Sequence, residues 1–504
     1  MLNLAALWRN LTLPKKKVSW RNQVRWQLSD PLVRLSGADV WTINDATQNT
    51  VIFGANGSGK TSGSGATIAK AFLFAGFGGL VLTAKTGESE TWYRYAEACG
   101  RLHDLIIVDV ESGDCFNFLD YERTREGAGA GFTENIVALI NSIYEIAQRG
   151  QPQSGNGDNQ YWKQAQDQLA RNEIELLIMA DEPVSIPNLY KLIVSSATSE
   201  AMAQSPAWQE KSYLYQCLEK ADKRHSNSER SKDLELVLDY FMSELPRLAD
   251  KTRSIIVSSF TSTIDVLNRG LLRKLFTGDT NLVPDVVFDG KIIVVDLPVK
   301  EFFEVGRVAQ VIWKTQFQRC VERRHVDETS RPVFLWVDEA HNFVTSGDMQ
   351  FMTTARSCRA CTVYLTQSYS NFLAALGGEQ ARASVDSMLG CMQTKIFHAS
   401  SDSVTNSWAA ESVGRVRQFF VNFSEHHEPI DLYDMIMPFA RRPPSTTNGM
   451  NETMEYLLPP STFPTLACGG PRENWEVTGV LFQGGRVFRS TGRPFLFVTF
   501  NQDC

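Results

Sequence analysis

Residues 51–65 read VIFGANGSGKTSGSG, and the interpretation of the whole chain starts from them. An apolar run ends at Gly54, and a second glycine, Gly59, is followed directly by Lys60 and Thr61. The spacing fits G-x-x-x-x-G-K-[ST], in which backbone N–H groups surround a polyphosphate, the lysine contacts the terminal phosphates and the hydroxyl binds Mg²⁺. Glycines let the backbone approach phosphate oxygens without a Cβ in the way. The stretch therefore predicts a phosphate-binding loop.

The sequence on either side of this loop has the order of elements that the motif needs. Residues 51–53 are strand-like, and TIAKAFLFA at 67–75 has a helical pattern, so the positive end of a helix would point at the anion. A turn rich in serine and glycine is the alternative, but it does not explain the strand and the helix. We predict a nucleotide-binding loop made of Gly54, Asn56, Gly57, Ser58, Gly59, Lys60 and Thr61.

A second motif, VFLWVDEA at 333–340, supplies adjacent carboxylates at the end of a strand-like run. Asp338 can hold the water shell of Mg²⁺ together with Thr61, and Glu339 can orient and deprotonate an attacking water. A strand that ends in an acidic turn is the alternative interpretation when this segment is taken alone. Combined with the phosphate-binding loop, the pair predicts a hydrolysis site.

A third segment, TTARSCRACTVYLTQS at 353–368, follows the acidic pair. Gln367 ends a β-branched run and is predicted to sense the terminal phosphate, with a surface turn residue as the alternative. Arg356 is predicted to lie on a helix and to reach the nucleotide of a neighbouring subunit as an arginine finger. Arg359, one turn away, is a second candidate for the same role.

The pattern of apolar residues predicts an α/β fold with an inserted helical domain. Strands are expected near Val51, Leu80, Leu105, Ile292, Phe334, Val363 and Ile396, several of them followed by helices, as a mainly parallel sheet requires. Between Phe132 and Leu272 the apolar period is helical. We predict a nucleotide-binding domain at 46–131 and 273–504, which includes a C-terminal β tail, and an all-α insertion at 132–272. WEVTGVLFQGGRVFRSTG at 475–492 predicts a hairpin that turns at Gly484 and Gly485.

Residues 1–45 form a separate N-terminal segment in this scheme. A membrane span needs about 20 apolar residues, and no stretch of the sequence is long enough. The start of the segment is apolar and then basic, so it could lie on a membrane surface or on a partner, or dock on the protein's own core. The residues of this pattern are Leu2, Leu4, Leu7, Trp8, Leu11, Lys15, Lys16 and Lys17.

Composition is that of a large cytoplasmic protein. The 504 residues are 43% hydrophobic and 21% charged, enough for two to four domains with a core. Nine cysteines, an odd number, do not form a disulfide framework, and Cys358 and Cys361 make a lone C-x-x-C without a second pair at zinc spacing. The net charge of −7 does not exclude binding of nucleic acid, because a protein that encloses nucleic acid in a hexameric channel needs positive charge only on the inner wall of that channel.

An ordered series of motifs resembles the VirD4/TraG/TraD class of type IV secretion coupling proteins, within the FtsK/HerA group of hexameric translocases. The series is FGANGSGKT, AKTGES, YWKQAQDQLA, KIIVVDLPV, LWVDEAHNF, ARSCRACTVYLTQS, LLPPSTFPTLACGG and STGRPFLFVTFNQ. The resemblance implies a RecA-like P-loop ATPase that takes ATP and Mg²⁺ and forms a homo-hexamer. It also places Lys60 and Thr61 in the phosphate and Mg²⁺ site.

Two departures from that class stand out. The class usually carries Asp-Pro-Lys-Gly-Glu after the second strand, where this chain has Thr83-Ala84-Lys85-Thr86-Gly87-Glu88. The role that the first, acidic residue of that pattern has in the class is therefore open in this chain. The class usually begins with transmembrane helices, which this sequence lacks. The expected location is therefore cytoplasmic, with peripheral attachment to the inner membrane through a partner as a further option.

The functional expectation is a ring-forming ATPase that couples hydrolysis to recruitment and translocation of DNA or nucleoprotein. The resemblance implies single- or double-stranded DNA, a relaxase or other protein substrate, and secretion components as partners. Two alternatives remain open: a HerA-like cytosolic DNA motor in repair or defence, and an ATP-gated protein adaptor for a secretion system.

Overall fold

A nine-stranded sheet lies at the centre of the computed structural model, which describes residues 26–147, 156–378, 380–426 and 445–502. Two further two-stranded sheets, β1–β2 and β10–β11, are separate from it. All described strands are β1 (Pro31–Arg34), β2 (Val40–Thr42), β3 (Thr50–Phe53), β4 (Gly78–Leu82), β5 (Leu105–Val108), β6 (Ile292–Val295), β7 (Val333–Val337), β8 (Ala360–Thr366), β9 (Thr394–Phe397), β10 (Arg415–His426), β11 (Ser445–Tyr456), β12 (Glu476–Gln483) and β13 (Phe495–Asn501).

The helices fill the segments between these strands. They are α1 (Ile43–Ala46), α2 (Ala66–Phe74), α3 (Glu88–Ala98), α4 (Phe118–Thr124), α5 (Thr133–Ala147), α6 (Asn156–Ala180), α7 (Ile186–Val194), α8 (Glu200–Ala203), α9 (Pro206–Lys211), α10 (Tyr213–His225), α11 (Ser231–Asp239), α12 (Leu245–Arg247), α13 (Asp250–Asp265), α14 (Gly270–Phe276), α15 (Val299–Arg323), α16 (Gly347–Thr354), α17 (Tyr369–Leu376), α18 (Ala381–Gly390) and α19 (Ser403–Val413).

The central sheet has the order β13-β12-β9-β3-β8-β7-β4-β6-β5. The seven strands from β9 to β5 are parallel, and β12 and β13 add an antiparallel pair at one edge. All seven strands expected from the sequence are present in this sheet. The predicted fold class, a mainly parallel α/β sheet with an added helical region, is confirmed.

The C-terminal hairpin differs from its prediction. β12 does end just before Gly484, but the strand that returns beside it is β13, and Phe482 pairs with Phe495. Residues 486–494 form an irregular excursion between the two strands. The Gly-Gly pair is a local turn, and the apolar alternation that marks the returning strand lies further along the chain than predicted.

Both faces of the sheet are covered, because β3, β4, β6, β7, β8 and β9 are buried along their whole length. This is the condition under which parallel strands read as continuous apolar runs. One face packs with α15 and the helices of the insertion in one continuous apolar cluster, and the other packs with α2, α3 and the β1–β2 hairpin. The phosphate-binding loop between β3 and α2 is thereby fixed at the middle of the sheet.

Every described secondary-structure element between β5 and β6 is helical, from α4 to α14. The predicted insertion began at residue 132 and ended at residue 272, and α5 begins at Thr133 while α14 ends at Phe276. Its division from the sheet as a separate domain stays a prediction, because the apolar cluster runs without interruption from these helices to the sheet.

The described part of the N-terminal segment packs on the sheet. Trp26 donates its indole N–H to the carbonyl of Ala75 at 2.8 Å, and Trp41 stacks on Phe72. The apolar and basic pattern at residues 2–17 lies outside the described residues. None of the helices that the structure describes is long and apolar enough to cross a membrane.

A buried ion pair ties α15 to the segment after β7. The Lys314 ammonium lies 2.6 Å from both carboxylate oxygens of Asp348 and 2.7 Å from the carbonyl of Phe343, with both charged side chains fully buried. Buried charges are tolerated when they are paired and their remaining hydrogen bonds are made. The pair fixes the chain just after the acidic motif of β7.

A long two-stranded ribbon, β10–β11, pairs with itself and with no other described strand. Its register puts five apolar side chains on one face, each at least 48% exposed: Phe419, Val421, Phe423, Met450 and Met454. Residues 427–444, which connect the two strands, lie outside the described residues.

Candidate nucleotide site

The predicted site residues meet at the carboxyl edge of the parallel sheet. The phosphate-binding loop follows β3, Asp338 and Glu339 follow β7, and Gln367 follows β8. β8 lies between β3 and β7, so neighbouring strand ends bring these segments together. The carboxyl edge is where open parallel sheets bind ligands, because the loops diverge there.

The phosphate-binding loop is held by main-chain bonds to the neighbouring strand ends. Gly54 N–H donates to the carbonyl of Thr366 at 3.2 Å, and Ala55 N–H donates to that of Ala399 at 2.9 Å. Gly59 has φ +78°, where a side chain is strained, and a Cβ there would lie 2.5 Å from Val477 Cγ2. Glycine is therefore required at this position by both the backbone conformation and the adjacent strand.

The loop presents unpaired donors. The backbone N–H groups of Gly57, Gly59, Lys60 and Thr61 make no hydrogen bond to any residue that the structure describes. A wider helical turn, Thr61–Gly65, follows them and runs directly into α2. Free N–H groups at the start of a helix form an anion-binding cradle.

Three nitrogen donors converge on one carboxylate oxygen of Glu339. Oε1 lies 3.0 Å from the Lys85 ammonium, 3.2 Å from the amide nitrogen of Gln367 and 3.6 Å from the Lys60 ammonium. Burial would raise the pKa of Glu339, but the charges of Lys60 and Lys85 and the hydrogen bonds to Oε1 outweigh it and lower the pKa. The group is an anion at neutral pH.

The other oxygen of Glu339, Oε2, is buried and makes no hydrogen bond to the described residues. His341 Nδ1 lies 3.7 Å away, too far for a hydrogen bond. The backbone of Glu339 is left-handed, with φ 44°, which is uncommon for a residue with a side chain. One oxygen is thus fixed by donors, and the other is free to accept a proton.

Asp338 lies beside Glu339 and differs from it in its partners. Its Oδ1 accepts the backbone N–H of Glu339 at 2.8 Å, and its Oδ2 is 3.5 Å from the Lys85 ammonium. Glu88, at the start of α3, accepts the N–H of Ala84 at 2.8 Å. Burial, followed by the charge of Asp338 and a hydrogen bond with it, holds the pKa of Glu88 well above its usual range. Glu88 therefore favours its neutral, protonated form beside Asp338.

The donor set suits a hard cation. Thr61 and Asp338 both line a cleft between the phosphate-binding helix and α3, and both offer oxygen ligands. Mg²⁺ prefers oxygen and keeps several waters, with one or two protein groups and substrate phosphates completing its shell. No group of three or more histidine, cysteine or acidic side chains in the described ranges could hold a metal without such a substrate.

A histidine that the sequence did not point to supports the loop from behind. His398, at the end of β9, is buried, and its Nδ1 lies 3.2 Å from the carbonyl of Thr478. Because a carbonyl only accepts, Nδ1 carries the proton and Nε2 accepts the Ser64 hydroxyl at 2.7 Å. Burial, reinforced by the positive charge of Lys60 and opposed in part by the Thr478 bond, lowers the pKa of His398 to about 4.

Arg356 is not on a helix, contrary to the prediction. α16 ends at Thr354, and Arg356 is exposed in the turn that leads into β8. It is at the amino end of β8 while Gln367 is at the carboxyl end, about 20 Å apart for a strand of this length. Arg359 is buried and donates to the carbonyls of Trp26 at 2.8 Å and Ser330 at 3.0 Å.

The sequence reasoning missed three residues of the site: Lys85, Glu88 and His398. Lys85 and Glu88 stand in the segment that departs from the coupling-protein pattern, and a lysine three residues after the end of a buried strand was a usable signal. His398 had no signal, because a lone histidine after a strand does not reveal which loop it faces.

One family model matches part of the chain. A family model described as the TraM recognition site of TraD and TraG, TraG-D_C, matches residues 332–466. That range includes the acidic motif and Gln367. No protein with a curated description matches the chain by sequence.

Solved structures of a conjugative coupling protein match nearly the whole chain. Unbound TrwBΔN70 shares 12% identity over 95% of this chain and 88% of its own, with a TM-score of 0.59. TrwB with the non-hydrolysable ATP analogue ADPNP shares 13% over 99% and 95%, with a TM-score of 0.58, and TrwB with ADP and Mg²⁺ shares 13% over 90% and 86%, with a TM-score of 0.56. The predicted resemblance to coupling proteins is thus confirmed, in the fold across the chain and in sequence over 332–466.

The low pKa of His398 makes stability depend on pH. Its folded pKa, about 4, is below the unfolded value of 6.5, so the unfolded chain binds the extra proton between these values and stability falls as pH decreases through that window. Replacing His398 with Gln removes this pH-dependent contribution to the free energy of unfolding. Between pH 7.5 and 4.5 the wild type should lose about 2 kcal/mol more than His398→Gln in free energy of unfolding. Urea unfolding followed by tryptophan fluorescence measures the difference, and equal losses in the two proteins would contradict the assignment.

Proposed function

We propose that the protein is an ATPase of the coupling-protein type, in which hydrolysis drives the handling of DNA or a nucleoprotein. The single observation that carries the proposal is the convergence of Lys60, Lys85 and Gln367 on Oε1 of Glu339, beside a loop with free N–H donors. A buried carboxylate with one oxygen fixed and the other unpaired is the arrangement that a general base for water needs.

The residues divide the work of phosphoryl transfer to water. The N–H groups of the loop would bind the β- and γ-phosphates of ATP. Lys60 would give up its contact with Glu339 and bind the γ-phosphate instead. Thr61 and Asp338 would hold Mg²⁺, which neutralises developing charge on the phosphates. Glu339 Oε2 would accept the proton of the attacking water, while Gln367 would link that carboxylate to the phosphate through its amide.

The comparisons support this choice among ATPases. TrwB, whose fold covers nearly the whole chain, is described as a plasmid coupling protein and has been solved with an ATP analogue and with ADP and Mg²⁺. The family model over 332–466 is described as the TraM recognition site of TraD and TraG, and this description supports a protein as a partner. We extend these properties to the present chain: ATP and Mg²⁺ as ligands, and DNA, a relaxase or another protein of a type IV secretion system as partners.

We further propose that the chain works on the cytoplasmic side of the inner membrane as a homo-hexamer, with 132–272 as a cargo-selecting domain inserted into the motor domain. The exposed position of Arg356 supports a ring. Because it is a strand's length from its own Gln367, it would reach a nucleotide only across a subunit boundary. Arg359 is committed to carbonyls of its own chain, so Arg356 is the better candidate for the finger.

Lys60→Ala should abolish ATP hydrolysis, and Glu339→Gln should keep nucleotide binding while trapping ATP. The lysine is needed to bind and stabilise the phosphates, whereas Gln at 339 removes the base but leaves the binding groups. Phosphate release and retention of radiolabelled ATP on the protein measure the two effects. Undiminished turnover by folded Lys60→Ala would refute the site.

Mixing Arg356→Ala subunits with wild type should lower activity more than dilution does. A finger acts on the neighbour's phosphate and supplies about 10³ to 10⁵ in rate, so each variant subunit inactivates a wild-type site. ATPase rates are measured against the fraction of variant, in assemblies shown by mass to be mixed. Arg359→Lys is the matched arginine control. A strictly proportional fall would exclude action in trans.

DNA should stimulate the ATPase, and the stimulation should weaken steeply between about 50 and 200 mM salt, because binding to phosphates releases counterions. Rates with no DNA, single-stranded DNA and duplex, on the wild type and on Lys60→Ala, test this. The HerA-like motor gives the same response without a secretion partner. If no DNA changes the turnover of an oligomeric preparation at low salt, the adaptor function replaces the motor.

A further inference from the structure

Lys85 lies in the loop between β4 and α3, and the main chain on both sides of it is fixed. Thr83 N–H donates to the Gln310 side-chain oxygen at 2.7 Å, and the Gln310 amide returns a bond to the Thr83 carbonyl at 2.9 Å. Ala84 accepts the N–H of Lys300 at 3.2 Å. Gln310 is fully buried on α15. The loop therefore presents Lys85 to the site from a rigid base.

From this base Lys85 makes the shortest of the three contacts to Glu339. Its ammonium is 3.0 Å from Oε1, and it is also 3.5 Å from Oδ2 of Asp338. The Lys85 side chain is 33% exposed, whereas the carboxylates are 5% exposed, so the lysine closes the site from the solvent side. Its aliphatic stem can lie along the loop while its charge stays at the buried pair.

Lys60 cannot take over this role during hydrolysis. It belongs to the phosphate-binding loop, and its 3.6 Å contact with Glu339 competes with any phosphate that enters the loop. Lys85 is outside that loop and has no such competitor. Gln367, the third donor, is neutral and gives a weaker bond to a carboxylate than a charged donor does.

We propose that Lys85 is a positioning residue: it holds Oε1 of Glu339 so that the unpaired Oε2 is presented to the attacking water. This inference rests on the proposed ATPase function. The backbone of Glu339 is left-handed, a conformation that is strained for a residue with a side chain. Such a conformation persists only where surrounding contacts hold it, so the orientation of the carboxylate depends on contacts from other parts of the chain. Lys85 supplies that contact from the loop after β4, a loop that carries none of the predicted site residues.

Lys85→Met tests the proposal, because it keeps the length of the side chain and removes the charge. The variant should lower kcat by ~10- to 100-fold, the range expected when a general base loses its orientation, and leave KM and the affinity for a fluorescent ATP analogue within about threefold of wild type. Lys85→Arg should restore most of kcat. Thr86→Ala, on the same exposed loop but outside the site, should match wild type.

A double variant shows whether Lys85 acts through Glu339. If it does, Lys85→Met should cost nothing further in a Glu339→Gln background. Unchanged kcat in Lys85→Met, a raised KM with unchanged kcat, or an additive loss in the double variant would each overturn the proposal. An equal loss of kcat in Thr86→Ala would also overturn it. So would a lowered thermal midpoint of Lys85→Met, if Lys85→Arg failed to restore both the midpoint and the activity. If wild type and Lys60→Ala are equally inactive, the ATPase function itself fails, which is a separate result.

Discussion

Two adjacent carboxylates, Asp338 and Glu339, are buried at the end of β7, and the site is arranged around their charge. Burying one unpaired carboxylate is costly, and a second beside it adds repulsion. The structure offsets this with two lysines from different loops, and the raised pKa of Glu88 keeps that neighbouring carboxyl from adding a third negative charge. Each charge is thereby either compensated or removed. A mutation of any of these groups changes the protonation or the orientation of its neighbours.

The phosphate-binding loop depends on the last strands of the chain as well as on its own sequence. β12 places Val477 against Gly59, and the Thr478 carbonyl orients His398 toward Ser64. Gln502, next to the end of β13, donates to the Ser62 hydroxyl at 2.7 Å. The first loop of the nucleotide site and the turn that follows it are thus supported by residues more than 300 positions away in sequence. This arrangement couples the conformation of the loop to the antiparallel edge of the sheet.

Much of the architecture could be predicted because burial on both faces leaves a strong sequence signal. Each parallel strand is an apolar run, and the phosphate-binding loop and the Asp-Glu pair each follow such a run. The errors arose where the signal is local and ambiguous. The Gly484–Gly485 pair resembles a hairpin turn, but tertiary pairing with β13 decides the returning strand. Arg356 follows a helical pattern that ends two residues earlier.

The site residues that were missed share a physical reason. Lys85, Glu88 and His398 act on groups that are distant in sequence, and nothing in their own neighbourhood reveals the partner. Their significance appears only once the strand order is known, because β4 and β7 are neighbours in the sheet although about 250 positions separate Lys85 from Asp338. Sequence motifs therefore identify the groups that would touch the nucleotide, while the groups that hold those residues in place follow from topology. For this chain the distinction is sharpest at Lys85, which occupies the segment where the motif pattern breaks.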